Sequence, residues 1–220
     1  MPLASPPSIS AAAPVARSPE EPRIFWPSAR YYGDNNGPDS SVFPSLAAIK
    51  ARCGTCPPEP LETFLEAAWS AKNCILVLDD YLFKPLEGQS LQGRYEQILN
   101  WLPDGLVANE IRFLTNAHPD QDAIRKLFNE RAAEINQRAP RRRGTTIIDI
   151  RFTLGSAFPY VHDRFAIIDN ELWHFGATVG GLHSLVNATS RGWNAYTREA
   201  VRFFNDAWNG DGDIGGVRHG

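Results

Sequence analysis

Tyr160-Val161-His162-Asp163-Arg164-Phe165-Ala166-Ile167-Ile168-Asp169 leads without a break into Asn170-Glu171-Leu172-Trp173-His174-Phe175-Gly176-Ala177-Thr178. Two runs of apolar and aromatic residues, Arg164 to Ile168 and Leu172 to Phe175, flank Asp169-Asn170-Glu171, a set that favours a turn. The stretch predicts a β-hairpin. Strand residues alternate faces, so His162 and Arg164, two apart, point the same way. Asp169 follows His162 by an odd offset, which predicts the opposite face and a role in pinning the turn. His174 is predicted to face away from the His162 side. A neutral imidazole beside a permanent cation can attack an electrophile that the cation holds. A phosphodiester is such an electrophile, because a guanidinium neutralises and orients its oxygens.

Upstream, helical and strand patterns alternate. Leu61, Phe64, Leu65 and Ala68 recur at helical spacing. Ile75-Leu76-Val77-Leu78 is a short apolar run that predicts a buried strand, with Asp79-Asp80 emerging at the sheet edge. Leu91, Tyr95, Ile98, Leu99 and Leu102 mark a second helix stopped by Pro103. Ile111 to Thr115 reads as a strand, Ile124 to Ile135 as a helix ended by Pro140, and Thr146 to Phe152 as a strand. Downstream, Val201, Phe204 and Trp208 mark a last helix. The alternation predicts α/β layering around a mixed sheet. Ligand sites in open α/β sheets gather at strand ends, so Asp79 or Asp80 is placed to orient an imidazole or to bind substrate; capping of a helix or loop by the same carboxylates is the equal alternative.

The remaining segments divide the chain. Residues 1–22 are rich in Pro, Ala and Ser and are expected to form a disordered tail. Residues 23–59 read as an arm and loop, with Ile24-Phe25-Trp26 and Tyr31-Tyr32 packing on the domain or on a partner chain. Residues 60–208 form the domain, and residues 209–220 a flexible tail. The chain has 220 residues and a net charge of -3, so it carries no global basic field to hold nucleic acid or a membrane. Arg138 with Arg141-Arg142-Arg143 is the basic cluster; such a run is usually a solvated loop, and near a phosphodiester site it could instead contact backbone phosphates. Three cysteines argue against a disulfide framework. Cys53-Gly54-Thr55-Cys56 runs into Pro57-Pro58 without further ligands and reads as a surface turn, so neither metal nor cofactor is expected. No apolar run reaches membrane-spanning length and no basic leader stands at Met1, so a cytoplasmic location is expected.

The segment beginning at His162 resembles the HxKxxxxD motif of the phospholipase D superfamily. Arg164 stands in the lysine position, Asp169 in the aspartate position, and Gly176 at the glycine that follows. The wider order resembles that fold too, with Ile75 to Tyr81 as the opening strand and Trp208 in the closing helix. The resemblance covers roughly residues 60–208. It implies a phospholipase D-like mixed sheet flanked by helices on both faces. It further implies a metal-independent phosphodiesterase, most simply a nuclease, acting through a phosphohistidine with His162, Arg164 and Asp169 as the catalytic set. Gly176, Thr178, Asp79 and Asp80 would contact substrate. Family enzymes use two motifs, and this chain has one, which implies a homodimer with one site built across its two-fold axis.

Three departures weigh on this expectation. Arginine and lysine differ in donor geometry. Ala177 and Val179 occupy positions where the family commonly has Ser and Asn, and one lost donor of that kind costs about 2.7–4 kcal/mol of transition-state stabilisation. Thr178 substitutes only if a bulge turns it inward. The alternative is therefore a weak or inactive module of the same fold that binds nucleic acid, phosphate or a protein. A phospholipid hydrolase or transferase ranks third, since there is one motif and no membrane-binding amphipathic helix. His118, before Pro119, reads as a surface residue, and His183 in its glycine-containing loop as a further residue able to approach the site.

Overall fold

Cys74-Ile75-Leu76-Val77-Leu78 has no polar side chain, and a strand so composed must be covered on both faces. In the computed structural model all five residues are buried. The structure describes residues 23–25, 46–47, 61–86, 88–138, 144–181 and 187–210. The proline-rich tail, Cys53 and Cys56, Arg141 to Arg143, His183, His219 and residues 211–220 lie outside the described residues.

The elements, in chain order, are β1 (Arg23–Phe25), α1 (Glu62–Trp69), β2 (Cys74–Leu78), α2 (Leu91–Leu99), β3 (Glu110–Leu114) and α3 (Gln121–Arg138). They continue as β4 (Ile147–Arg151), α4 (Leu154–Ala157), β5 (Phe165–Ile168), β6 (Glu171–Phe175), β7 (Thr189–Asn194) and α5 (Ala200–Asn209). One sheet of seven strands has the order β1-β7-β6-β5-β2-β3-β4. β2, β3 and β4 are parallel, with Leu78 opposite Leu114 and Leu114 opposite Arg151. β5, β6, β7 and β1 add antiparallel neighbours, so the sheet is mixed.

Strand alternation sorts the core into two layers. Ile75, Val77, Ile111, Phe113, Ala166, Ile168, Trp173 and Phe175 face one side, where Phe64 of α1, Ile98 of α2 and Phe128 of α3 cover them. Leu76, Leu78, Phe165 and Ile167 face the other, against Leu154 of α4 and Phe204 and Trp208 of α5. The fold is thus the expected mixed α/β sheet with helices on both faces. Phe64 centres the larger layer, meeting Trp101, Trp173 and Phe175 edge-on at 5.2, 5.5 and 5.3 Å. Among the described residues no helix is long and apolar enough to cross a membrane.

The chain departs from the sequence reading in three places. α2 ends at Leu99 rather than Leu102, because Trp101 and Leu102 donate to Ile98 and Leu99, a tightened last turn before Pro103. α4 and β7 carry little apolar periodicity. They are fixed by tertiary contacts, α4 through Leu154 and β7 by pairing with β6. β2 is an interior strand, flanked by β5 and β3, so its acidic end does not emerge at a sheet edge: Asp79 is fully buried.

Candidate active site

Residues 161–164 lead into β5, and the Arg164 carbonyl accepts the Phe175 N–H at 2.9 Å. Alternation then separates the side chains. Asp163 turns to one face and pairs with His174, Oδ1 to Nε2, at 2.6 Å. His162 and Arg164 turn to the other, where β2 delivers Asp79 and Asp80 from its carboxyl end.

Asp80 joins the two. Its Oδ1 accepts from Arg164 Nε at 2.8 Å, and its Oδ2 lies 3.7 Å from His162 Nδ1. The second distance exceeds a hydrogen bond. The His162 side chain is 79% exposed, against 17% for Arg164 and 9% for Asp80. The imidazole therefore stands at the solvent side of a nearly buried ion pair. The guanidinium carbon of Arg164 also lies 5.0 Å from the centre of the Tyr81 ring, within cation–π range.

Asp79 lies beneath this layer. Its Oδ1 accepts the Tyr81 N–H and its Oδ2 the Val179 N–H, both at 2.8 Å, and Oδ1 is 3.6 Å from Arg164 Nε. Burial pushes the Asp79 carboxyl up to about 6, against the pull of the two N–H groups, Arg164 and Arg94. The Val179 side chain is in the core, and its backbone N–H is spent on Asp79. Ala177 is buried as well. Thr178 is nearly buried, and its carbonyl accepts the Gly181 N–H. Gly176 donates its N–H to Ala188 O at 2.8 Å, and a Cβ there would sit 3.0 Å from that same oxygen. This close approach explains a glycine at the end of the hairpin.

Asp169 is placed elsewhere. It sits in the hairpin turn at the far end of β5, and its carboxylate accepts the backbone N–H groups of Lys72, Asn73 and Cys74 at 2.7–3.1 Å. The structure brings His162, Arg164, Asp79 and Asp80 together, and leaves Asp169 as the latch between the hairpin and the start of β2. Tyr81, the Val179 N–H and Arg94 complete the surroundings without having been anticipated. Arg94 was visible in the sequence as a charge on the apolar stripe Leu91, Tyr95, Ile98. His118 is spent locally, accepting the Asp120 N–H at 3.1 Å. Arg138 pairs with Asp104. Among the described residues no group of three or more His, Cys, Asp or Glu side chains is arranged to hold a metal ion.

No family model matches the chain, and no curated protein matches it. Solved structures do. The chain is similar to the phospholipase D family member Nuc from Salmonella typhimurium, with 15% identity, a TM-score of 0.39, and 67% of this chain and 86% of that one covered. It is similar to NucT from Helicobacter pylori at 10% identity and a TM-score of 0.38, covering 68% and 87%. A third similar structure is TrmBL2, described as an archaeal chromatin protein with a novel mode of DNA binding, at 12% identity and a TM-score of 0.36, covering 67% and 47%. At these scores any functional reading stands on the chain's own residues.

Proposed function

We infer that the chain is a metal-independent phosphodiesterase of the phospholipase D type, a nuclease that works through a phosphohistidine on His162. The observation that carries this reading is the convergence of His162 and Arg164 on one carboxylate, Asp80, with the imidazole exposed. Asp80 orients the ring when the 3.7 Å approach of Nδ1–H closes to a hydrogen bond, which leaves the Nε2 lone pair for attack. The bond from Nε2 to phosphorus forms as the bond to the leaving oxygen breaks. Arg164 swings from Asp80 to the phosphoryl oxygens and stabilises their growing charge. The protonated His162 of a second copy, across a two-fold axis, donates to the leaving oxygen, and water then hydrolyses the phosphohistidine. Asp169 acts as a positioning residue through the hairpin. The cytoplasm is the setting in which we place this chemistry.

One observation favours a second reading. Arg164 is already neutralised by Asp80 and approached by Asp79, and the Ala177 and Val179 side chains offer no donors. A module that keeps the fold and binds phosphate, nucleic acid or protein without turnover would look like this. Hydrolysis of bis(p-nitrophenyl) phosphate in EDTA separates the two. Turnover by the native chain, abolished in His162→Ala, supports the enzyme. No turnover by the native chain, or equal turnover by both, leaves the binding module.

A further inference from the structure

The turn that leaves β2 sorts its side chains inward and outward. Leu82 and Phe83 belong to the larger core layer, while Tyr81 and Lys84 are exposed. The backbone of the turn is tied down. Asp79 Oδ1 accepts the Tyr81 N–H at 2.8 Å, Tyr81 O accepts the Lys84 N–H at 2.9 Å, and Leu82 O accepts from Nε of the buried Arg94 at 2.7 Å. Tyr81 and Lys84 are therefore presented beside Asp80 on a fixed backbone.

Two cations meet the Tyr81 ring. The Arg164 guanidinium carbon lies 5.0 Å from its centre and Lys84 Nζ lies 4.9 Å from it, so the two charges are no further apart than those distances laid end to end. They differ in what neutralises them. Arg164 is paired with Asp80 at 2.8 Å and approached by Asp79. Among the described residues no carboxylate pairs with the Lys84 ammonium. The Arg164–Asp80 pair cancels and offers a phosphate no net attraction, and the whole chain carries a net charge of -3. A polyanion that reaches His162 needs an uncompensated cation to hold it, and Lys84 supplies one at the rim. An isolated phosphodiester engages Arg164 alone. A strand with a phosphate on every nucleotide engages both cations at once, its backbone passing the Tyr81 ring, which is 40% exposed. Cations that track the backbone beside exposed aromatic rings are how single strands are held.

We propose that Lys84 forms the subsite for the phosphate next to the one held by Arg164, so that the ligand is a single strand of nucleic acid rather than an isolated phosphodiester. The subsite rests on the reading of His162 and Arg164 as a phosphodiester site.

Binding and turnover test it separately. In EDTA, a fluorescein-labelled oligothymidylate is titrated at several salt concentrations with the full chain carrying His162→Ala, so that nothing is cleaved. Adding Lys84→Met should weaken binding and make the slope of log K against log salt shallower by about 0.7, the value of one phosphate contact on a single strand. Lys72→Met, at the opposite end of β2, should leave the slope as it was. In turnover, the native chain should show a KM about 10-fold lower for a thymidylyl-thymidine carrying a 5′- or a 3′-phosphate than for the bare dinucleotide. Lys84→Met should erase that difference and Lys72→Met should keep it. A shallower slope in Lys84→Met without turnover of any substrate would support the subsite and strike the enzyme. Turnover with the slope and the KM ratio both unchanged in Lys84→Met would overturn the subsite and leave the enzyme. Failure of the chain to bind the strand would overturn the subsite as well.

Discussion

Asp79 and Asp80 are neighbours in sequence with opposite surroundings. Asp80 lies at the rim and shares its oxygens between Arg164 and the approach of His162. Asp79 is sealed below it and holds the backbone of Tyr81 and Val179. Because burial raises the Asp79 pKa to about 6, the native state keeps this proton to higher pH than the unfolded chain, whose carboxyl titrates near 3.8. Between those values the native state binds more protons, so this group's contribution to stability falls as pH rises through the window. Asp79→Asn removes the titration. The stability of the native chain relative to the variant, from urea unfolding, should therefore decline from about pH 4 to about pH 7; a constant difference would show that Asp79 does not titrate there. Asp80→Asn should separate the two tasks of its carboxylate. In hydrolysis of bis(p-nitrophenyl) phosphate, kcat should fall on the order of 10²-fold as the imidazole loses its orienting acid, while KM falls because Arg164 is released to the phosphate. The pairing of His162 with Arg164 was legible from spacing alone. The depth of Asp79 was not, because it depends on which strands flank β2, and no local pattern encodes that.

At the scale of elements, the legible parts were those with apolar periodicity. β2, β3, β5 and β6 and the helices α1, α2, α3 and α5 follow from runs and stripes that must be buried. β7 did not, because Thr189-Ser190-Arg191-Gly192-Trp193-Asn194 is mostly polar and its place is set by β6. Its Arg191 makes a two-point ion pair with Glu171 at 2.6 and 2.8 Å and lies 4.2 Å from the centre of the Trp173 ring, contacts that appear only once the strands are paired. The β5–β6 hairpin carries His162 and Arg164 on one end and the Asp169 latch on the other. Asp169→Asn keeps an oxygen and tolerates the left-handed φ of +57°, but loses the charge that gathers three N–H groups. It should cost about 1–3 kcal/mol in urea unfolding, with kcat at permissive temperature unchanged. A large loss of kcat in a folded variant would move Asp169 from the hairpin into the chemistry. Phe64→Ala, which empties the aromatic centre beneath β6, should cost about 3–5 kcal/mol by the same measurement.

His162 stands exposed beside the carboxyl end of β2, and a phosphoryl transfer of the inferred kind uses two histidines. A two-fold dimer supplies the second most simply. Sedimentation should then give twice the 24.5 kDa of one chain, and a monomer at all concentrations would remove the general acid from the account. The central claim is that His162 becomes covalently phosphorylated, and rapid acid and base quenching during turnover of a phosphorus-labelled phosphodiester tests it directly. The account predicts label on the chain that survives base and is lost in acid, mapped to His162 and absent from His162→Ala. Turnover by the native chain with no such adduct, or an adduct that persists in His162→Ala, would contradict it.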